Sequence, residues 1–334
     1  MSHPAGPTAS PTARLPRVVV VGGANMDLVG QASMPLTAGD STPGEVRASR
    51  GGVGRNMAEN LAQLGVPTLL HSAVGSDAWG RRLLHETQAC GVDVSRVFQS
   101  ADWPTAQYLS LVEPGGKLAM ALNDMRVLDQ LTPAVLRQQG FDISNAACLV
   151  LDCNLRPDTL AWLMDVANQG PAQNSHPTWV MVDAVSAVKC QRIKPHLAAI
   201  HTLKLNRLEA QALTGLAVDS LAEARMAAAA LCQQGVQRTV LSLGELGVCW
   251  CDAMGPSGHV PASRVPRGNT NGAGDALLAG VVYGHLAGLT LPQTVEFGMA
   301  CAELTLTSST ANAPGLTPQT VQAALARRKS SHET

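Results

Sequence analysis

Six short apolar runs, at 18–21, 69–74, 147–151, 179–182, 202–205 and 239–243, alternate with stretches whose apolar residues recur at helical spacing, and this alternation limits the folds open to the chain. Runs of this length bounded by turn residues are strands. Because they are continuously apolar, both faces of each strand must be covered. The helical stretches at 56–64, 79–90, 157–168, 208–213 and 221–233 provide the cover. Strand and helix in turn predict an α/β fold, a mostly parallel central sheet with helices on both faces. Three more helices are expected near 273–287, 292–308 and 317–327, and 334 residues suit one large domain with a smaller appendage.

Two segments break the rhythm. Residues 28–50 are polar and punctuated by Gly and Pro, while 105–112 and 117–123 flank Pro114-Gly115-Gly116 as the strands of a hairpin would. These pieces, at 28–50 and 105–124, are expected to pair into a small β-sheet projecting as a lid over the carboxyl edge of the main sheet. The alternative is an ordinary surface hairpin. Residues 1–17, rich in Pro, Ala, Thr and Ser without an apolar core, are expected to form a flexible tail, as are 328–334, leaving the domain at 18–327.

Lys and Arg number 24 against 25 Asp and Glu, so the chain lacks the basic surplus that drives binding to a nucleic-acid backbone. It also lacks an apolar span of about 18 residues, so no membrane crossing is expected. The eight cysteines lie mostly within apolar runs and show neither C-x-x-C nor zinc spacing, which reads as reduced core thiols of a cytoplasmic protein.

In open α/β sheets ligands bind beyond the carboxyl ends of the strands. The residues there are polar: Asn25 and Asp27 after the first strand, then Asp152 and Asn154, Asp183, Asn206, and Ser242 with Gly244. Any one alone reads as a cap or turn residue; five strand ends together read as a site. Gly51-Gly52-Val53-Gly54-Arg55-Asn56 opens a helical stretch and lets backbone approach a ligand. Arg55 either orients this glycine loop or is a solvated cation at a helix start. The turn Gly22-Gly23-Ala24-Asn25-Met26-Asp27 lacks the third glycine of a dinucleotide fingerprint, which argues against a Rossmann dehydrogenase. The strongest local signal is Asn269-Thr270-Asn271-Gly272-Ala273-Gly274-Asp275 leading into a helical run. Free N–H groups and the positive end of the helix dipole suit a phosphate or developing negative charge. Asp275 beside such an anion site is placed to take a proton from an attacking hydroxyl, against the simpler reading of an acid favoured at a helix start.

The Gly51-to-Asn56 segment, Asn206-Arg207-Leu208-Glu209 and Gly272-Ala273-Gly274-Asp275 stand in the order and approximate spacing of the ribokinase-like (PfkB-type) carbohydrate kinases, which the chain resembles from about 17 to 327. Within that family, Gly22-Gly23-Ala24-Asn25-Met26-Asp27, Gly51 through Asn60, Asn123-Asp124-Met125 and Leu205-Asn206-Arg207-Leu208-Glu209-Ala210 are similar to members that phosphorylate pseudouridine. The resemblance implies a ribokinase-like fold and transfer of the γ-phosphoryl group of ATP to the 5′-hydroxyl of that nucleoside. It implies Asp275 as base, with the N–H groups of Gly272, Ala273 and Gly274 as anion hole. Asn25, Asp27, Gly51, Gly52, Gly54, Asn56 and, more weakly, Asp152 would hold the acceptor, while Asn123 and Ser41 on the lid would read its base. Asn206, Ser242, Gly244 and Gly247 would contact the nucleotide, and Glu209 would help hold Mg2+ through water. The residues around 308–312 are a positional guess for the adenine pocket.

Asn269-Thr270-Asn271 departs from the Asp-Thr that many relatives carry, which leaves dependence on a monovalent cation such as K+ open. The expected partners are a small-molecule nucleoside and ATP, with no nucleic acid or membrane, and a homodimer through the lid as in many relatives. The competing readings are another sugar or nucleoside kinase of ribokinase, fructokinase or adenosine/inosine type, and a non-catalytic sensor on the same fold.

Overall fold

The computed structural model describes residues 15–169, 178–263 and 271–332. In chain order the first half contains β1 (Arg17–Val21), β2 (Asn25–Ala32), β3 (Gly44–Gly51), α1 (Val53–Gln63), β4 (Thr68–His71), β5 (Ala73–Gly75), α2 (Ala78–Ala89), β6 (Phe98–Ser100), β7 (Gln107–Val112), β8 (Leu118–Asp124) and α3 (Pro133–Gln138). The second half contains β9 (Ala146–Asp152), α4 (Pro157–Gln169), β10 (Trp179–Asp183), β11 (Thr202–Asn206), α5 (Arg207–Thr214), α6 (Leu221–Gln233), β12 (Arg238–Ser242), β13 (Val248–Asp252), β14 (Ser257–Val260), α7 (Ala273–Leu286), α8 (Leu291–Leu306) and α9 (Pro318–His332).

The main sheet has the order β14-β13-β12-β11-β10-β9-β1-β4, parallel except for β13 and β14. Val18, Val19, Val20 and Val21 of β1 are all fully buried, but 18 and 20 join one core cluster and 19 and 21 the other. That is the two-sided burial the continuous apolar run predicts. At ~1.5–3 kcal/mol per buried Val, this strand anchors both helical layers. It has β9 on one side and β4 on the other, so the chain order reverses beside it and opens a crevice at the carboxyl edge.

The lid is a separate sheet ordered β3-β2-β7-β8. The hairpin expected around Pro114-Gly115-Gly116 is present: the Glu113 N–H donates to the Lys117 carbonyl at 2.9 Å. Register places Ser49, Asp27, Tyr108 and Asn123 in one row across the four strands, hence on one face.

Three expectations need correction. The run 69–74 is two strands: the chain leaves the main sheet at Ser72, whose hydroxyl donates to the Gly22 carbonyl at 2.7 Å, and β5 pairs with β6 instead. The edge strands β13 and β14 were not expected, because Cys249 and Cys251 read as core thiols without a strand pattern. The C-terminal tail does not begin at 328: α9 continues to His332, held where Arg328 pairs with Glu303 and donates to the Pro261 carbonyl. Residues 1–14 of the expected N-terminal tail lie outside the described residues.

Candidate active site

The carboxyl ends of β1, β9, β10, β11 and β12 converge with the first turns of α1 and α7. Gly272 caps α7 at φ 80°, and a Cβ there would collide with the Ala311 carbonyl, so glycine is required. No side chain caps this helix. Its first-turn N–H groups, at Ala273, Gly274 and Asp275, therefore form a ready anion site at the positive end of the dipole.

Asp275 is buried in that turn and accepts from Asn56 Nδ2 at 2.7 Å. Burial and the neighbouring carboxylate of Asp183 push its pKa up to about 7, against the lowering influence of Lys204 and the Asn56 hydrogen bond. A carboxyl poised there is matched to proton abstraction near neutral pH. Lys204 was missed in the sequence. Its buried ammonium pairs with Asp183 Oδ2 at 2.9 Å and lies directly beneath Gly274, where a Cβ would come within 2.5 Å of Nζ. The anion site thus has a fixed cation at its floor. Lys204 sits inside a run otherwise read as a buried strand, and a lysine almost never occupies such a position unless paired. That was the available signal.

The glycine loop joins this end to β1. Gly52 has φ 97°, and a Cβ on Gly54 would meet the Gly22 backbone at 2.7 Å. Arg55 orients the loop and is not a solvated cation: it is 1% exposed, its Nε donates to the Gly51 carbonyl at 2.8 Å, and its guanidinium bonds Glu59, the Asn56 carbonyl oxygen of the side chain and Asn312 Oδ1. Asn312 also donates to the Asn56 backbone and to Asn60 Oδ1, both at 2.9 Å. The Asn56 amide is consequently fixed with its NH2 toward Asp275. Asn312 belongs to this network.

Asp27 lies over the loop: Asn25 Nδ2 donates to its Oδ1 at 2.7 Å, and the space a Cβ on Gly51 would take is filled by its carboxylate. Burial raises its pKa in spite of the Asn25 bond. Asp152 is fully buried and already engaged, accepting from the N–H groups of Gly23, Gly54 and Asn154 at 2.7–2.8 Å. It clamps the β1 turn to α1, with Oδ2 taking two of these bonds and Oδ1 one. Ser41 sits in the connection between β2 and β3 at the distal tip of the lid, roughly 17 Å of strand away from Asp27. Asn123 shares the Asp27 row. Asn269 and Thr270 lie outside the described residues.

On the other side of α7 opens a cavity of about 860 Å3 lined by Ser242, Gly244, Gly247, Ala273 and Gly274, with Met299, Ala302 and Leu306 forming an apolar wall. Asn206 and Glu209 form a capping box at the start of α5: the Glu209 carboxylate accepts from the Asn206 N–H and Nδ2, both at 2.7 Å. Asn206 is the register partner of Ser242. Among the described residues no three His, Cys, Asp or Glu side chains group into a metal site. The Glu209 carboxylate is 1% exposed with both oxygens bonded to Asn206, and a magnesium that comes with a nucleotide takes its oxygens mainly from phosphates and waters.

A proton acceptor, a helix-end anion site with a cation beneath it and a cleft on either side suit phosphoryl transfer to a hydroxyl. The chain matches the pfkB family carbohydrate kinase profile over residues 15–318. It belongs to that family. As a member it is an ATP-dependent phosphotransferase with an alcohol acceptor. It is 39% identical over 299 residues to the pseudouridine kinase of Escherichia coli K12, covering 90% of this chain and 93% of the relative. It is 37% identical over 298 residues, covering 89% and 80%, to an uncharacterized sugar kinase, YeiI, of the same organism. In fold it is similar to an Arabidopsis thaliana ribokinase solved with ribose and ATP, at a TM-score of 0.78 and 21% identity, covering 93% of this chain and 99% of that one. The fold is ribokinase-like.

Proposed function

We propose that the protein is a pseudouridine kinase that converts pseudouridine and ATP to pseudouridine 5′-phosphate and ADP. The observation that carries the reading is the Asn56–Asp275 hydrogen bond, which ties the acceptor-side glycine loop to the base at the open end of α7. Asp27 accepts hydrogen bonds from the ribose diol, leaving the 5′-hydroxyl toward Asp275. Asp275 takes the hydroxyl proton as the oxygen attacks the γ-phosphorus and the bond to ADP breaks. The Ala273 and Gly274 N–H groups and the Lys204 ammonium hold the charge of the transferred group, so catalysis is positioning and electrostatic stabilisation. The 860 Å3 cavity takes the nucleotide, its apolar wall facing the adenine. Mg2+, when bound with ATP, supplies charge neutralisation at the phosphates. The identity to the Escherichia coli pseudouridine kinase supports the choice of acceptor.

We also infer a homodimer through the lid. Val46, Met120 and Leu122, 67–78% exposed, lie on the face opposite the Asp27 row, and an exposed apolar patch there is self-complementary to a second copy. Sedimentation of the Met120→Lys variant checks this: a wild type that is monomeric at assay concentration rejects it. The eight free thiols suit the reducing cytoplasm, where we place the reaction.

The decisive experiment supplies ATP, Mg2+ and a panel of acceptors (pseudouridine, uridine, inosine, ribose, fructose) and detects the phosphorylated product by mass spectrometry. Pseudouridine preferred by at least about tenfold over uridine is the expected result, since a site built around an extra N–H strands its own acceptor when that group is missing. Preference for a bare sugar rejects the reading.

A further inference from the structure

A second cavity, of about 500 Å3, opens at the foot of the lid between Asn123, Asp124 and Arg126 at the end of β8 and Asn154, Lys189 and Arg192 of the main domain. Lys189 is its unusual member. The side chain is half-buried, its Nζ donates to Asn154 Oδ1 at 2.6 Å, and it makes no ion pair among the described residues. An ammonium has three N–H donors, so two are left for a ligand. Holding a cation partly out of water with one neutral partner is costly, and burial pulls this ammonium below the ordinary lysine range.

The surroundings select the ligand. Arg192 Nη1 is spent on the carbonyls of Cys153, Asn154 and Leu155 at 2.9–3.0 Å. Arg126 is paired with Asp124 at 2.6 Å, and Asp129 adds a second carboxylate to the wall. Three cations against two carboxylates in the wall, with buried Asp152 acting on Lys189 from behind it, leave no strong positive charge, which suits a neutral carbonyl oxygen and disfavours a phosphate of nearly two negative charges. The cavity also adjoins the acceptor site. Asn154 packs on Gly23, where a Cβ would lie 3.1 Å from its Nδ2, and Asn123 stands two strands, about 10 Å, from Asp27 in the same row.

We propose that Lys189, held by Asn154, reads the base of the acceptor by donating to a ring carbonyl oxygen, and so separates carbonyl-bearing nucleosides such as pseudouridine from bare pentoses. The inference rests on the nucleoside kinase reading above and adds the residue and bond that enforce it.

Lys189→Met keeps the apolar stem and removes the charge. It takes a favourable charge from the neighbourhood of buried Asp152, which keeps the N–H groups of Gly23, Gly54 and Asn154, and a thermal melt of the variant checks that it folds. Steady-state kinetics with pseudouridine, ribose and ribose 1-phosphate as acceptors then tests the proposal. The expected result is a fall in kcat/KM for pseudouridine of about 10- to 100-fold, the scale of a hydrogen bond to a charged group, carried mainly by KM, with ribose turnover and the KM for ATP unchanged. Equal losses for pseudouridine and ribose, or none for pseudouridine, overturn the proposal alone and leave the nucleoside reading standing. A wild type that phosphorylates only bare sugars overturns both. Efficient use of ribose 1-phosphate, which keeps the 5-hydroxyl and carries its phosphate where the base would sit, that disappears in the variant overturns it in favour of a phosphate subsite.

Discussion

Replacing Asn56 with leucine removes the hydrogen bond to Asp275 while keeping the side-chain volume, and the consequence can be worked through. Asn56 donates to the ionised carboxylate, so it lowers a pKa that burial and Asp183 raise to about 7. Loss of a hydrogen bond to a charged group is worth ~1.5–3 kcal/mol, which at 1.36 kcal/mol per unit is a rise of about 1–2 units. A base half ionised at pH 7 becomes about a tenth to a hundredth ionised after such a rise, and turnover there falls about 5- to 50-fold. The loss is recoverable: the acid limb of the kcat profile moves alkaline, and the variant approaches wild-type turnover near pH 9. The assay is kcat at saturating acceptor and ATP from pH 6 to 9.5, with circular dichroism at each pH to exclude unfolding. A limb that stays in place, or a loss of equal size at every pH, refutes the claim that Asn56 sets the ionisation of the base.

Three further outcomes follow from the same geometry. Asp275→Asn abolishes the proton acceptor and lowers kcat by about 10²- to 10⁴-fold, yet it raises thermal stability above pH 7; because the folded-state pKa is raised, ionising this group costs stability, and the gain shrinks as pH falls from 7 toward the unfolded value of 3.8. Arg55→Met leaves buried Glu59 with Arg50 at 3.2 Å as its cation and Gln63 Nε2 at 3.5 Å, and denaturant titration should show a loss on the scale of a broken buried pair, ~3–5 kcal/mol. Asp27→Ala should weaken acceptor binding and leave the ATP affinity unchanged in calorimetry; equal weakening of both places Asp27 elsewhere than the acceptor side.

The elements that could be read from sequence are those whose signal is local. The six apolar runs and the helices between them mark the layers because burial on two faces leaves a continuous pattern, and Pro114-Gly115-Gly116 marks the lid hairpin because those residues suit a turn. Gly272 and Asp275 stand out because a helix start with glycines has few alternative uses. What escaped depends on distant partners. Asn312 is separated from Asn56 by 256 residues and carries no motif, and the clamp that Asp152 makes on the N–H groups of Gly23, Gly54 and Asn154 joins three separate stretches of chain. Lys204 lies between these cases, visible as an anomaly in its strand but interpretable only once Asp183 and Gly274 are beside it.

The proton affinity of Asp275 illustrates why such residues cannot be assigned one at a time. Read singly, Asp183 ends a strand, Lys204 interrupts one, Asn56 follows a glycine turn and Asp275 favours a helix start. Assembled, two of them pull in opposite directions through charge, Asp183 raising the pKa and Lys204 lowering it, while Asn56 lowers it through a hydrogen bond and burial supplies the largest upward push. The value near 7 is the net of that opposition. Neutralising Asp183 should therefore lower the acid limb and neutralising Lys204 should raise it, with the base itself untouched. A site built this way tolerates no independent drift of its members, because each change in charge moves the ionisation on which the reaction depends.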